Sequence, residues 1–140
     1  MANQTHRGGC LCGAVTYRID GPMRDVVACH CRQCRKTSGH YVSATAVRAE
    51  DLDVTEDGAL NWFRSSPAAE RGFCGVCGSS LFWRRLGGDD VSVMAGGLDG
   101  PTGLTTTTHI FVKDAGDYYD VPAGLRTLDH GAHGLKPTGG

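Results

Sequence analysis

The chemistry of this chain is concentrated in cysteine, and its seven thiols fall into two sets of unequal size. Cys10 and Cys12 stand near the start, and Cys74 and Cys77 lie in the middle. Together they supply four thiolates, which close a tetrahedral zinc site with no position left over. The run Cys29-His30-Cys31-Arg32-Gln33-Cys34 supplies only three. Three thiolates leave one coordination position free, and an open position is where a zinc ion does chemistry instead of holding structure. Disulfides fit these spacings poorly, because the count is odd and a Cys-x-Cys bridge closes a strained ring. A thioredoxin-like pair at Cys74 and Cys77 leaves the other five cysteines without a role. An iron–sulfur or rubredoxin-like carrier on the four-cysteine set is a third reading, and its colour would separate it from colourless zinc.

Each set has a local geometry that suits metal. Residues i and i+2 of an extended strand face the same way, so Cys10 and Cys12 can grip one ion. Cys74-Gly75-Val76-Cys77-Gly78 reads as a tight turn in which glycine lets backbone N–H groups approach the sulfurs. A zinc bound by both pairs would pin the first strand to the middle of the domain. In the three-cysteine set the fourth position is open to water, to a substrate thiolate, or to His30, His40 or His109. We expect it to stay open, since no histidine stands at a standard ligand spacing from the cluster. A coordinated thiol loses its proton outright, so such a site would activate an incoming thiol. His30, between two ligands and on the opposite strand face, reads as a packing residue, and His109 is a candidate for reaching the pocket. His130 and His133, in a glycine-rich tail, read as solvated.

The elements that carry these residues are short. With 140 residues, 40% of them hydrophobic, the chain reads as one small domain with its own core. Twenty-one glycines punctuate segments with strand patterning: Val15, Tyr17 and Ile19 alternate with polar neighbours, and Val26 to Ala28 leads into the three-cysteine cluster. Tyr41 to Val47, Leu60 to Phe63, Leu81 to Trp83, Val91 to Met94 and His109 to Val112 follow the same habit. These spacings predict a mainly β fold of short antiparallel sheets, with one helical turn over Gln33 to Ser38. We divide the chain into a polar segment over 1–8, a zinc domain over 9–121 and a loosely held tail over 122–140. No apolar run approaches the about 20 residues needed to cross a membrane, and Met1 to Gly9 is polar, so we expect a cytoplasmic protein. A formal charge of -1 offers no field to draw in a phosphate backbone, which disfavours nucleic acid and favours small molecules or proteins.

Taken in order, Gly9-Cys10-Leu11-Cys12-Gly13, Cys29-His30-Cys31-Arg32-Gln33-Cys34-Arg35-Lys36-Thr37-Ser38-Gly39 and Phe73-Cys74-Gly75-Val76-Cys77-Gly78 resemble the glutathione-dependent formaldehyde-activating enzyme and centromere protein V family. The resemblance runs from Gly9 to about Val121 and includes His109-Ile110-Phe111-Val112. It implies a β-tent fold shared with methionine sulfoxide reductase B enzymes. It also implies a structural zinc at Cys10, Cys12, Cys74 and Cys77 and a catalytic zinc at Cys29, Cys31 and Cys34. The implied reaction joins glutathione to formaldehyde as S-hydroxymethylglutathione, and its reverse is a carbon–sulfur lyase step. In two stretches the chain differs from the family's habit: Asp117-Tyr118-Tyr119-Asp120 stands where a tryptophan is common, and Thr105 to Thr108 replaces a proline-bearing approach.

The residues suit that chemistry on their own terms. Zinc with three thiolates carries a net charge of about -1, which repels an anionic ligand. Arg32, Arg35 and Lys36 are placed to offset the repulsion and to bind glutathione carboxylates. The partners implied are a small thiol and an aldehyde. The competing class is a non-enzymatic zinc module for a protein or nucleic acid, which a basic extension outside the zinc domain would support. Elemental analysis of protein purified without added metal should find about two zinc ions per chain. A value near one in a folded protein would mean that the three-cysteine set does not hold metal as isolated.

Overall fold

A computed structural model describes residues 5–131. In chain order its strands and its α-helix are β1 (Thr5–Gly9), β2 (Thr16–Asp20), β3 (Val26–Cys29), α1 (Arg32–Ser38), β4 (Val42–Arg48), β5 (Leu52–Glu56) and β6 (Leu60–Ser66). After these come β7 (Ala69–Cys74), β8 (Ser80–Arg85), β9 (Asp90–Met94), β10 (Thr106–Ile110) and β11 (Arg126–Thr127). β1, β2 and β5 form a three-stranded sheet. The rest form an eight-stranded sheet in the order β11-β10-β3-β4-β9-β8-β7-β6. The fold is therefore mainly β, as the strand patterning predicts. Pairing is antiparallel from β3 through β6, whereas β10 lies parallel to both β3 and β11.

Alternation along β2 decides how the sheets pack. Tyr17 and Ile19 are buried on one face, and with Val15 they meet Val47 of β4, Leu81 and Phe82 of β8 and Val91 and Val93 of β9. Tyr17 and Phe82 pack edge to face, 5.3 Å between ring centroids. Each such side chain contributes about 1.5–3 kcal/mol on burial, so this layer between the two sheets is the main source of stability. A second, smaller cluster of Cys34, Val42 and Ala44 lies apart from it, with Cys29, Cys31 and Met94 at its margin. The two cysteine sets thus sit in different packing environments: Cys74 is at the centre of the main core with Cys10 and Cys77 against it, while Cys29, Cys31 and Cys34 line the small cluster.

The last expected strand is shifted. β10 begins earlier, at Thr106, and ends at Ile110, before Phe111 and Val112. Phe111 takes a left-handed backbone conformation (φ 54°), which an L side chain adopts at a cost, and Val112–Asp114 then forms a 3-10 turn. The conformation is held from outside: the Phe111 N–H donates to the His130 carbonyl and the Asp114 N–H to the Phe111 carbonyl. The chain consequently leaves the sheet and crosses toward α1.

Gly8 marks the closest approach of the small sheet to the loop after β9. A Cβ there would overlap the Gly97 carbonyl and the Tyr17 hydroxyl end. Gly8→Ala should therefore lower stability by about 1–3 kcal/mol, the usual cost of overpacking, read as a reduced melting temperature. An unchanged melting temperature would show that the sheets separate at little cost.

Candidate metal centres

The four-cysteine set is assembled from two turns. Cys10 and Cys12 lie in the β1–β2 connection, Cys74 ends β7 and Cys77 lies in the β7–β8 connection. Each turn closes on a glycine with positive φ, Gly13 at 83° and Gly78 at 79°, where a side chain would be strained. All four Sγ atoms lie within 4.8 Å of one another. Cys10 and Cys12 sulfurs are 3.6 Å apart and those of Cys12 and Cys74 3.8 Å. A zinc tetrahedron with Zn–S bonds of about 2.3 Å has edges of about 3.8 Å, so the spacing fits the ion. Backbone N–H groups of Val76 and Cys77 donate to Cys74 Sγ and that of Val15 to Cys10 Sγ. The Ser79 hydroxyl, together with the backbone N–H groups of Ser79 and Cys12, holds the Cys77 thiol down at about 5. Donors aimed at sulfur favour thiolate, the form a metal needs.

The three-cysteine set is built around the start of α1. Cys29 ends β3, Cys31 is the N-cap of α1 and its sulfur accepts from the Cys34 N–H, and Cys34 is buried inside the helix. Their three Sγ atoms also lie within 4.8 Å of one another. Hydrogen bonds from Cys29 and Cys34, and from the backbone N–H groups of Cys34 and Gln33, push the Cys31 thiol far down. The same neighbours, Cys31 first and then Cys34, push Cys29 far up. Three close sulfurs cannot all carry charge without a cation, and a dication removes that penalty. The donor set therefore fits zinc, with Cys29, Cys31 and Cys34 as the residues that would hold it.

No histidine or carboxylate among the described residues joins either set. His30 is fully buried and turned away from the sulfurs, with Nδ1 2.9 Å from the Tyr119 hydroxyl and Nε2 2.8 Å from His109 Nδ1. Burial, with the charges of His109 and His40 behind it, holds His30 down at about 4, so it is a neutral packing residue in the middle of a polar chain. His109 is also buried, and its Nε2 has no partner among the described residues. His40 is exposed against Tyr41. His130 is exposed, and His133 lies outside the described residues.

The basic turn is on α1. Arg32 and Lys36 are exposed, and Arg35 donates from Nε to the Asp114 carbonyl. None of the three is in an ion pair among the described residues. Three residues that carry no motif complete the surroundings. Tyr119 reaches His30 while accepting from the Gly116 N–H, Gln33 donates to the Ser65 carbonyl, and Arg71 of β7 donates to both Gln33 Oε1 and Cys34 Sγ. The one signal for Arg71 was its place two residues after Ala69 on the inward face of β7.

The sequence model for glutathione-dependent formaldehyde-activating enzymes matches residues 5–114. The chain belongs to this family. A relative, described as an uncharacterized lyase of Schizosaccharomyces pombe, is 27% identical over 116 residues, covering 82% of this chain and 84% of that one. In three dimensions the chain is similar to the crystal structure of a Rhodobacter sphaeroides protein, with a TM-score of 0.59, 22% identity and coverage of 87% of this chain and 98% of that one. That likeness supports the fold alone. All seven cysteines of the two sets lie within the residues matched to the glutathione-dependent formaldehyde-activating enzyme family.

Their different settings make an asymmetric expectation. Cys77→Ser should lower the melting temperature sharply or prevent soluble expression, since structural zinc binding is worth on the order of 10 kcal/mol and removal of one thiolate forfeits much of it. Cys31→Ser should give a folded protein that retains about one zinc. Equal destabilisation by the two substitutions, measured by thermal denaturation, would sink the division into a structural and an open site.

Proposed function

We propose that this protein is a zinc-dependent carbon–sulfur lyase acting on the adduct of a glutathione-like thiol with an aldehyde, such as S-hydroxymethylglutathione. The observation that carries the reading is the three-sulfur set with no fourth protein ligand among the described residues, at the N-terminus of a helix bearing a basic turn. Family membership and the lyase relative support an enzyme of this class. Zinc held there would keep an incoming thiol ionised at neutral pH, as a nucleophile in one direction and a leaving group in the other.

The chain's own residues perform the remaining tasks. Cys29, Cys31 and Cys34 fix the position at which the thiol sulfur docks. Arg32 and Lys36, exposed on α1 and without acidic partners among the described residues, are the carboxylate-binding groups, since guanidinium and ammonium donors make charge-assisted bonds to carboxylates. Arg35 shares its guanidinium with the Asp114 carbonyl and so also braces the segment after β10. In the lyase direction the adduct's hydroxyl proton leaves to solvent, its O–H electron pair becomes the carbonyl π bond, and the C–S pair departs with sulfur. The products are aldehyde and thiolate. Addition runs the same steps backward: the sulfur pair attacks the aldehyde carbon and the oxygen takes up a proton. The cellular setting proposed for this activity is the cytoplasm.

Substitution of cobalt at the three-cysteine set makes the docking visible. Glutathione should intensify the thiolate-to-cobalt absorption, whereas S-methylglutathione, which has no thiolate to offer, should leave it unchanged. Identical spectra with both would show that the metal is not the docking point. Failure of both to bind would remove the thiol from the assignment and favour the zinc-module alternative.

A further inference from the structure

Arg71 is a buried cation with no carboxylate partner among the described residues. It is 7% exposed, and none of the ion pairs among the described residues includes it. The acidic residue next to it in sequence, Glu70, points the other way and pairs with Arg84. What the Arg71 guanidinium does reach is the open site: Nη2 lies 3.8 Å from Cys34 Sγ and 3.3 Å from Gln33 Oε1, while Nε has no partner among the described residues. Gln33 is itself fixed, because its amide nitrogen donates to the Ser65 carbonyl of β6. Two strands and the helix therefore converge to aim one guanidinium at one sulfur.

A buried charge left uncompensated costs several kcal/mol, so Arg71 requires a negative partner, and among the described residues the three-cysteine set is the one within reach. We propose that Arg71 is a positioning residue that neutralises the net charge of the three-thiolate centre and thereby lets an anionic ligand occupy the fourth position. This deepens the lyase reading above and rests on it for the identity of the natural ligand. Zinc with three thiolates is about -1, and a fourth thiolate takes it to about -2. With Arg71 alongside, the same two states are neutral and -1. The basic residues on α1 are exposed and screened by solvent, whereas Arg71 acts from the protein side through a medium of low dielectric. At an effective dielectric constant of about 20, a unit charge roughly 6–12 Å from the incoming anion, which would dock beyond Cys34 Sγ, changes the affinity for that anion by roughly 10- to 100-fold and leaves that for a neutral ligand nearly unchanged.

The test uses full-length protein with cobalt at the three-cysteine set and two thiol-free probes, azide and imidazole, followed by absorption titration. Arg71→Met should weaken azide by about 10- to 100-fold and change imidazole by less than about 2-fold, and Arg71→Lys should recover most of the azide affinity. Equal weakening of both probes would reduce Arg71 to a packing residue, and unchanged azide binding would overturn the proposal outright. Should Arg71→Met fail to fold, the wild type still decides. The Arg71 guanidinium resonances in nitrogen-15 spectra should move when zinc is added and move again with azide, and resonances that stay fixed would overturn it. Because azide needs no thiol, absence of glutathione binding removes the lyase reading while leaving this result intact. Loss of the azide–imidazole difference removes Arg71's role while leaving glutathione docking intact.

Discussion

Four sulfurs drawn from turns 62 residues apart meet where the small sheet joins the large one, and the placement of much else follows from that junction. The β1–β2 connection and the β7–β8 connection share little surface apart from their cysteines, Ser79 and the core behind them. Leu11 and Val76, at the tips of the two turns, are 90% and 73% exposed, so the turns are not held together by hydrophobic burial. A metal held by the four sulfurs would supply the cohesion that burial does not. The inner face of the cluster is another matter. Cys74 is fully buried among Val15, Tyr17 and Leu81, so a metal held by the four sulfurs would join the turns at the edge of the core in which β2 packs against β8.

The second sulfur set depends on the first without sharing its environment. α1 has only seven residues, too few to be stable as an isolated helix, so its position is set by contacts rather than propensity. Cys31 caps its start, and Gly39, in a left-handed conformation with its N–H on the Arg35 carbonyl, ends it. Gln33 ties it to β6 and β7, and Arg35 ties it to the turn after β10. Strand β7 ends in Cys74, so the strand that delivers Arg71 to Cys34 is anchored three residues later in the closed set. Structure at one centre thereby positions charge at the other.

The cysteine sets, the strand alternation in β2 and the helical turn after Cys31 were all legible from residue types and spacing, because each is a local pattern with a physical period. The features that escaped are those whose cause lies elsewhere in the chain. β1 is Thr-His-Arg-Gly-Gly, with no apolar side chain to signal a strand, and it forms through main-chain pairing along β2. The parallel placement of β10 beside β3 is invisible locally, since pairing direction depends on how the chain returns after β9. Phe111 carries no sequence mark of a left-handed residue, and its conformation is imposed by bonds to His130 and Asp114. Arg71 escaped because an arginine in a strand is ordinarily exposed, and what makes it unusual is the absence of a carboxylate at a distance that only the fold defines.

The departure at Phe111 also explains how the tyrosines near the end of the chain come to matter. By leaving the sheet at this residue the backbone carries Tyr118 and Tyr119 over α1, where Tyr118 donates to the Gly39 carbonyl and Tyr119 meets His30. His30 lies between two metal-ligand positions, and its neutral ring is held from one side by Tyr119 and from the other by His109, whose strand β10 pairs directly with β3. A ring locked at both nitrogens restricts the backbone of Cys29 and Cys31 on either side of it. The polar chain Tyr119–His30–His109 thus acts on the open site through geometry, just as Arg71 acts through charge. The first limits where the sulfurs can move, and the second sets how much negative charge they can bear. The proposed thiol-docking centre would need both, since a flexible cluster would rearrange to exclude a fourth ligand and an uncompensated one would repel it.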